Sequence, residues 1–148
     1  MKLYQYLTIS TVALFAACQS KQNKAIDNPP PPATKQFCYA YFKNNDTATL
    51  TLITSGHIIT GELSYNLFEK DGNSGIIKGE MRGDTIVADY LFESEGKQST
   101  RQVVFLKKDG KLLEGYGDIS EKQGKTTFNS IAELKFGDGI EFSEVNCQ

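Results

Sequence analysis

The chain has 148 residues, with 16 Lys and Arg against 18 Asp and Glu, a formal charge of −2 and an aromatic content of 11%. It has no basic stripe or arginine-rich run, so it lacks the positive footprint that nucleic acid binding requires. The roughly 110 residues after the last proline are enough for one modest core, and a second domain among them is not expected.

The opening residues, MKLYQYLTISTVALFAACQS, place one positive charge at Lys2, an apolar run from Leu7 to Ala17, and Cys18 directly after two alanines. That order predicts a secretory signal over residues 1–17. The run is too short to persist as a membrane-spanning helix. Ala16, Ala17 and Cys18 resemble the lipobox of bacterial lipoproteins, with Phe15 where a smaller aliphatic residue is usual, as in the relaxed lipoboxes of Bacteroidetes. The resemblance implies that Cys18 is lipidated and anchors the mature chain in the outer membrane. The following residues, QSKQN, lack the acidic cluster of a surface-export signal, so a periplasm-facing anchor is expected.

Residues 18–35 read as the lipidated cysteine and a spacer. QSKQNKAIDNPPPPATK has almost no apolar content and contains all four prolines of the chain. Such a segment cannot offset its ordering entropy by burial, and its proline run favours an extended conformer. Residues 36–148 form the predicted single domain. Cys38 and Cys147 stand at its two ends, and in an oxidising envelope compartment they are expected to pair, two separate thiols being the alternative.

Along this domain the apolar period is two, and the breaks are glycine, asparagine or aspartate. FCYAYFKN leads to a turn at Asn45-Asp46, then TATLTLITS, a turn at Gly56-His57, and IITGELSYNLFE. EKDGNSG turns the chain, GIIKGEM follows, Arg82-Gly83 turns it again, and TIVADYLFESE begins. STRQVVFLKK, a turn at Asp109-Gly110, and KLLEGYGDIS come next, and TTFNSIAELKF and GIEFSEVN supply less regular final strands around Gly137-Asp138-Gly139. No window carries an amphipathic helical stripe. The prediction is all-β: an up-and-down antiparallel meander of about eight or nine strands, closed into a small barrel because closure removes exposed edges. A sandwich or open sheet is the alternative.

Register assigns the faces. Two-residue turns at Arg82-Gly83 and Gly96-Lys97 set Ile77 opposite Ala88 and Phe92 opposite Arg101. Leu63, Tyr65, Leu67, Ile77, Ile86, Ala88, Tyr90 and Phe92 then share an apolar face with Val103 and Phe105, leaving Glu93 and Glu95 to solvent. A turn at Asp109-Gly110 adds Glu114, Tyr116 and Asp118 to that face, with Asp118 across from Arg101. A one-residue slip at Gly96 would put Arg101 outside instead.

Arg101, Asp118 and Glu114 are therefore the candidate polar cluster, either a salt bridge closing one barrel end or a planar fork for an anionic ligand. Tyr65, Tyr90, Phe92, Phe105 and Tyr116 are candidate cavity lining, in a barrel just wide enough to be packed solid or to hold one small ligand. The carboxylates lack a demonstrable separation for acid and base chemistry, and His57, the single histidine, reads as a turn residue. Asp71, Asn73 and Ser74 read as a simple turn rather than a calcium loop, which would need a completing glutamate. No catalytic residue, metal or cofactor is assigned.

The stretches CYAYFKNNDTATLTL, GELSYNLFEKDGNSGIIKGEMRGDTIVADYLFESEGKQSTRQVVF and EGYGD resemble small envelope lipoproteins of Bacteroidetes and Flavobacteria. This resemblance implies an envelope address and carries no activity with it. More loosely the meander looks like lipocalin-like and NlpE-type small barrels; the Cys-x-x-Cys pair of the latter is missing, so no copper or redox role transfers. The expected function is a non-catalytic binding or structural module tethered to the outer membrane, with a lipocalin-like carrier of a small apolar or amphiphilic molecule as the alternative. The expected partners are the membrane, through the lipid, and either an envelope protein or a small amphiphilic ligand.

Overall fold

A computed structural model of the chain describes residues 30–148. The predicted signal, Cys18 and the spacer up to residue 29 lie outside the described residues. Ten strands follow in order: β1 (Thr34–Lys43), β2 (Asp46–Ser55), β3 (Ile58–Asn66), β4 (Asn73–Arg82), β5 (Thr85–Ser94), β6 (Lys97–Lys108), β7 (Lys111–Tyr116), β8 (Ile119–Lys122), β9 (Lys125–Phe128) and β10 (Lys135–Val145). A short 3-10 turn, Ile131–Glu133, precedes β10. Thr34 and Lys35, assigned to the spacer on composition, already pair with Ser55 and Thr54 in the first ladder.

Consecutive strands β1 to β7 pair antiparallel, β5 pairs β6, β7 pairs β10, and β10 returns to β1, so eight strands close an antiparallel barrel. Its inward face is the apolar one. Leu50, Ile59, Leu63, Ile77, Ile86, Tyr90, Phe105, Leu112 and Phe142 are all fully buried there. Burial of this face, at about 25 cal/mol per Å² of apolar surface, is what holds the strands in register.

Three of the predicted turns sit one residue away from where they were expected: Lys43 pairs Asp46, so the β1–β2 turn is Asn44-Asn45 rather than Asn45-Asp46, and the other two adjoin β5. Ser94 pairs Lys97, so the β5–β6 turn is Glu95-Gly96, with φ of 51° and 73°. A type I′ turn asks for positive φ at both central residues and prefers glycine second, which selects Glu95-Gly96 over Gly96-Lys97. Arg82 pairs Thr85, which makes the β4–β5 turn Gly83-Asp84 rather than Arg82-Gly83. Each correction shifts the pairing by two residues, and a shift of two leaves every side chain on its predicted face. Ile77 thus opposes Tyr90, and Arg101 also opposes Tyr90, still pointing inward.

Gly75 and Gly79 in β4 face inward as Ile77 does, and a Cβ on either would run into the backbone of β5. At Gly79 the colliding atoms are the Val87 carbonyl oxygen and Ala88 Cα. Glycine permits the close strand approach that bends a sheet into a barrel.

Between β7 and β10 the chain leaves the barrel and folds back over its outside. β9 lies parallel to β6, pairing Lys125 with Thr100 and Thr126 with Arg101, and β8 pairs β9. Leu134 packs on the outward-facing Val87 and Val104, with Phe128, Ile131 and Phe136 around them, as a second small core. Phe128 N donates to the Gln102 side chain at 3.2 Å, and Lys125 forms an ion pair with Asp89. The predicted all-β meander barrel is present, with one addition: the segment from Gly117 to Leu134 is a cover for the outer face of β5 and β6. The signal lay in Ile86-Val87 and Val103-Val104-Phe105, consecutive apolar residues that mark a strand buried on both faces.

Candidate functional site

Hairpin order divides the barrel into two ends. At one end β1 begins, the Gly56-His57, Gly83-Asp84 and Asp109-Gly110 turns gather, and Cys38 is bonded to Cys147 with Cα atoms 5.2 Å apart. The predicted disulfide is therefore present and ties β1 to the residues just after β10. At the other end lie the Asn44-Asn45 and Glu95-Gly96 turns and the β3–β4 loop, and towards it the inward side chains of Tyr65, Tyr90, Phe92, Arg101 and Glu114 converge.

Each reaches the interior by strand alternation. Tyr90 and Phe92, two residues apart on β5, stack with ring centroids 4.8 Å apart and an interplanar angle of 18°. Tyr65 on β3 meets Tyr90 edge on, at 6.0 Å and 64°. Over these rings lies the Arg101 guanidinium, its Cζ 5.1 Å from the Tyr65 centroid and 5.4 Å from those of Tyr90 and Phe92. A guanidinium over three aromatic faces gains on the order of 1 to 2 kcal/mol per good contact when partly desolvated.

The hydroxyls organise the rest. Tyr65 Oη donates to Glu114 Oε1 at 2.8 Å, and Tyr116 Oη to Glu114 Oε2 at 3.4 Å. Tyr116 Oη in turn accepts from Ile140 N at 3.2 Å, where β10 bulges between Phe136 and Glu141. Tyr90 Oη lies 2.9 Å from both the Leu63 carbonyl and Asn73 Oδ1, and its single proton is shared between them. Burial pushes the Tyr65 hydroxyl well above its ordinary value, reinforced by the neighbouring Glu114 charge. Tyr90 and Tyr116 are pushed up to about 12, also chiefly by burial. All three hydroxyls therefore remain donors across the physiological range.

Glu114 is the buried charged residue of the core, 8% exposed. Burial raises its pKa above the ordinary 4.5, opposed by the Tyr65 hydrogen bond, the Arg101 charge and the Tyr116 hydrogen bond. A raised carboxylate pKa means that the folded state holds the proton more tightly than the unfolded chain. Below about pH 4.5 the proton is bound in both states and there is no penalty; as pH rises through the folded-state value, the charged form costs stability. Glu114→Gln, which keeps the shape and the acceptor for Tyr65, is therefore expected to gain stability relative to the wild type at pH 7 and to lose that gain at pH 4. Urea midpoints at the two pH values check this. A difference that does not change between them would mean that Glu114 titrates as an exposed carboxylate does.

Of the predicted polar cluster, Arg101 and Glu114 are brought together and Asp118 is not. The turn at Asp109-Gly110 is where it was expected, with Lys108 opposite Lys111 and Phe105 opposite Glu114. β7 then leaves β6, and β9 occupies the position beside Arg101 in which Asp118 was expected. Asp118 is exposed, and the Arg101–Asp118 bridge is absent. Of the predicted lining, Tyr65, Tyr90 and Phe92 surround Arg101. Phe105 instead lies fully buried in the core, edge on to Phe142 at 5.8 Å. Tyr116 is 42% exposed at the rim, where its ring fills the space that a side chain at Gly139 would need. Glu93, Glu95 and His57 are exposed.

Asn73 was missed. It opens β4, opposite Tyr65, and its amide oxygen accepts from Tyr90, whereas its company in EKDGNSG suggests only a turn. No sequence signal separates an asparagine that caps a turn from one that starts a strand pointing inward.

Fold and site together define a closed eight-stranded antiparallel barrel with an arginine held on aromatic rings towards the end away from its disulfide. No protein-family model, curated protein or solved structure matches this chain.

Proposed function

We propose that the protein is a non-catalytic binding module of the bacterial envelope, tethered to the outer membrane by a lipid on Cys18 and facing the periplasm. The observation that carries the binding reading is the Arg101 guanidinium held over Tyr65, Tyr90 and Phe92 with its enclosed Nε unpartnered, and the anchor reading rests on Ala16, Ala17 and Cys18. The interior favours a binding or structural module over a lipocalin-like carrier, because Tyr90, Phe105, Phe142 and Leu50 fill it with essentially no exposure.

The test is lipidation itself. Cells fed an alkyne analogue of palmitate are expected to label the wild-type protein and leave Cys18→Ser unlabelled, with the variant moving from the membrane to the soluble fraction. Equal labelling of both would sink the anchor assignment. Protease added to intact cells is expected to leave the domain uncut, and its removal would overturn the periplasmic face.

A further inference from the structure

We propose that Arg101 is the recognition element of this binding end, and that its ligand is a small organic acid whose carboxylate it grips as a planar fork. The inference rests on reading the arginine end of the barrel as a binding surface and adds the ligand's chemical class.

A guanidinium drawn into a barrel is costly unless its N–H groups find acceptors. Arg101 is half-buried, its Nε is enclosed, and that Nε has no hydrogen-bond partner. Among the described residues no carboxylate comes within ion-pair distance of Arg101. The nearest charge of opposite sign, Glu114, already receives hydrogen bonds from Tyr65 and Tyr116.

The rings of Tyr65, Tyr90 and Phe92 hold the cation through their faces, which leaves its in-plane donors unspent. Those donors form a rigid fork that matches a carboxylate in two parallel bonds. A structural arginine would be expected to spend the fork on the protein. Here the rings fix the guanidinium in place, Nε is enclosed without a partner, and among the described residues no acceptor takes the two Nη groups at the tip of the half-buried side chain. The Nη pair is left to grip a carboxylate end on, the pre-organisation that lowers the cost of binding. Tyr65 and Tyr90 are buried, but half-buried Phe92 and Tyr116, 42% exposed at the rim, offer ring surface for the apolar part of such an acid.

The full chain, ¹⁵N-labelled in detergent, would be titrated with sodium benzoate, sodium acetate, inorganic phosphate and sodium chloride at matched ionic strength, following the Arg101 Nε–H resonance. Benzoate and acetate are expected to shift it saturably, with benzoate the tighter through ring contact. Phosphate, which the same fork matches but which carries more charge into a ring-lined, part-buried site, is expected to respond more weakly, and chloride not at all. Arg101→Lys keeps the charge and loses the fork, so a weakening of about tenfold or more is expected, read at the backbone amides of Tyr90 and Phe92. Absence of a saturable shift with either acid in the wild type would overturn the proposal without depending on any variant's folding. Equal response to phosphate would overturn the carboxylate assignment. Arg101→Lys binding as tightly as the wild type would overturn the fork. None of these results bears on lipidation of Cys18, so the anchor reading stands or falls separately.

Discussion

Reduction of the Cys38–Cys147 bridge is expected to lower the unfolding free energy of the barrel by about 4 to 5 kcal/mol, the chain-entropy value for a loop that spans a whole domain. The two cysteines are 109 residues apart, so the bond removes more freedom from the unfolded chain than any shorter loop here could. A native-state contribution adds to this. β1 and β10 share only three paired positions, Cys38 with Val145, Tyr39 with Glu144 and Ala40 with Ser143, against ten along β1 and β2. The bridge sits at the end of this short seam and holds it shut. Urea unfolding with and without reductant, and of Cys38→Ser with Cys147→Ser, measures the effect. A loss below about 1 kcal/mol would show that the seam closes without the bond and that the reduced chain retains structure.

Gly79→Val is expected to prevent barrel closure, at a cost above the roughly 1 to 3 kcal/mol of ordinary core overpacking. The reason is the kind of atom that the new side chain meets. Elsewhere in a core a neighbouring side chain can change rotamer, but at Gly79 the obstacles are the Val87 carbonyl and Ala88 Cα, both backbone of a central strand. Relief would require separating β4 from β5, whose ladder runs unbroken from Ser74 with Glu93 to Arg82 with Thr85. Against a typical domain stability of about 5 to 15 kcal/mol, the variant is expected to be largely insoluble or molten. Gly79→Ala is expected to be milder in the same direction. A second change, Ala88→Gly, is expected not to rescue it, since the Val87 oxygen and the residue 88 Cα remain. Full recovery of the urea midpoint in the double variant would show that the Ala88 methyl, and not backbone, is the obstacle.

The inward or outward face of each barrel residue was legible in the sequence alone, and the reason is arithmetic. Strand alternation has a period of two, and moving a hairpin turn by one residue shifts the pairing by two, so the misplaced turns at Asn45, Gly83 and Gly96 left the faces intact. Leu63, Tyr65, Ile77, Ile86, Tyr90, Val103 and Phe105 are core as predicted, and Arg101 points inward. The disulfide was legible too, because Cys38 and Cys147 stand at the two ends of the predicted domain, and the bond is present.

Tertiary structure decided which strand lies next to which. Local patterning carries no information about a neighbour reached after a long excursion, and the gain that settles it is burial on the far side of the sheet. Val87 and Val104 face outward and need a cover; Leu134, Phe128 and Ile131 supply it by drawing the segment after β7 across the outside of β6. That movement places Thr126 beside Arg101 and leaves Asp118 in solvent. The arginine's orientation thus followed from the sequence, while its lack of an acidic partner followed from the fold, because an ion pair depends on which strands become neighbours and not on the alternation within one.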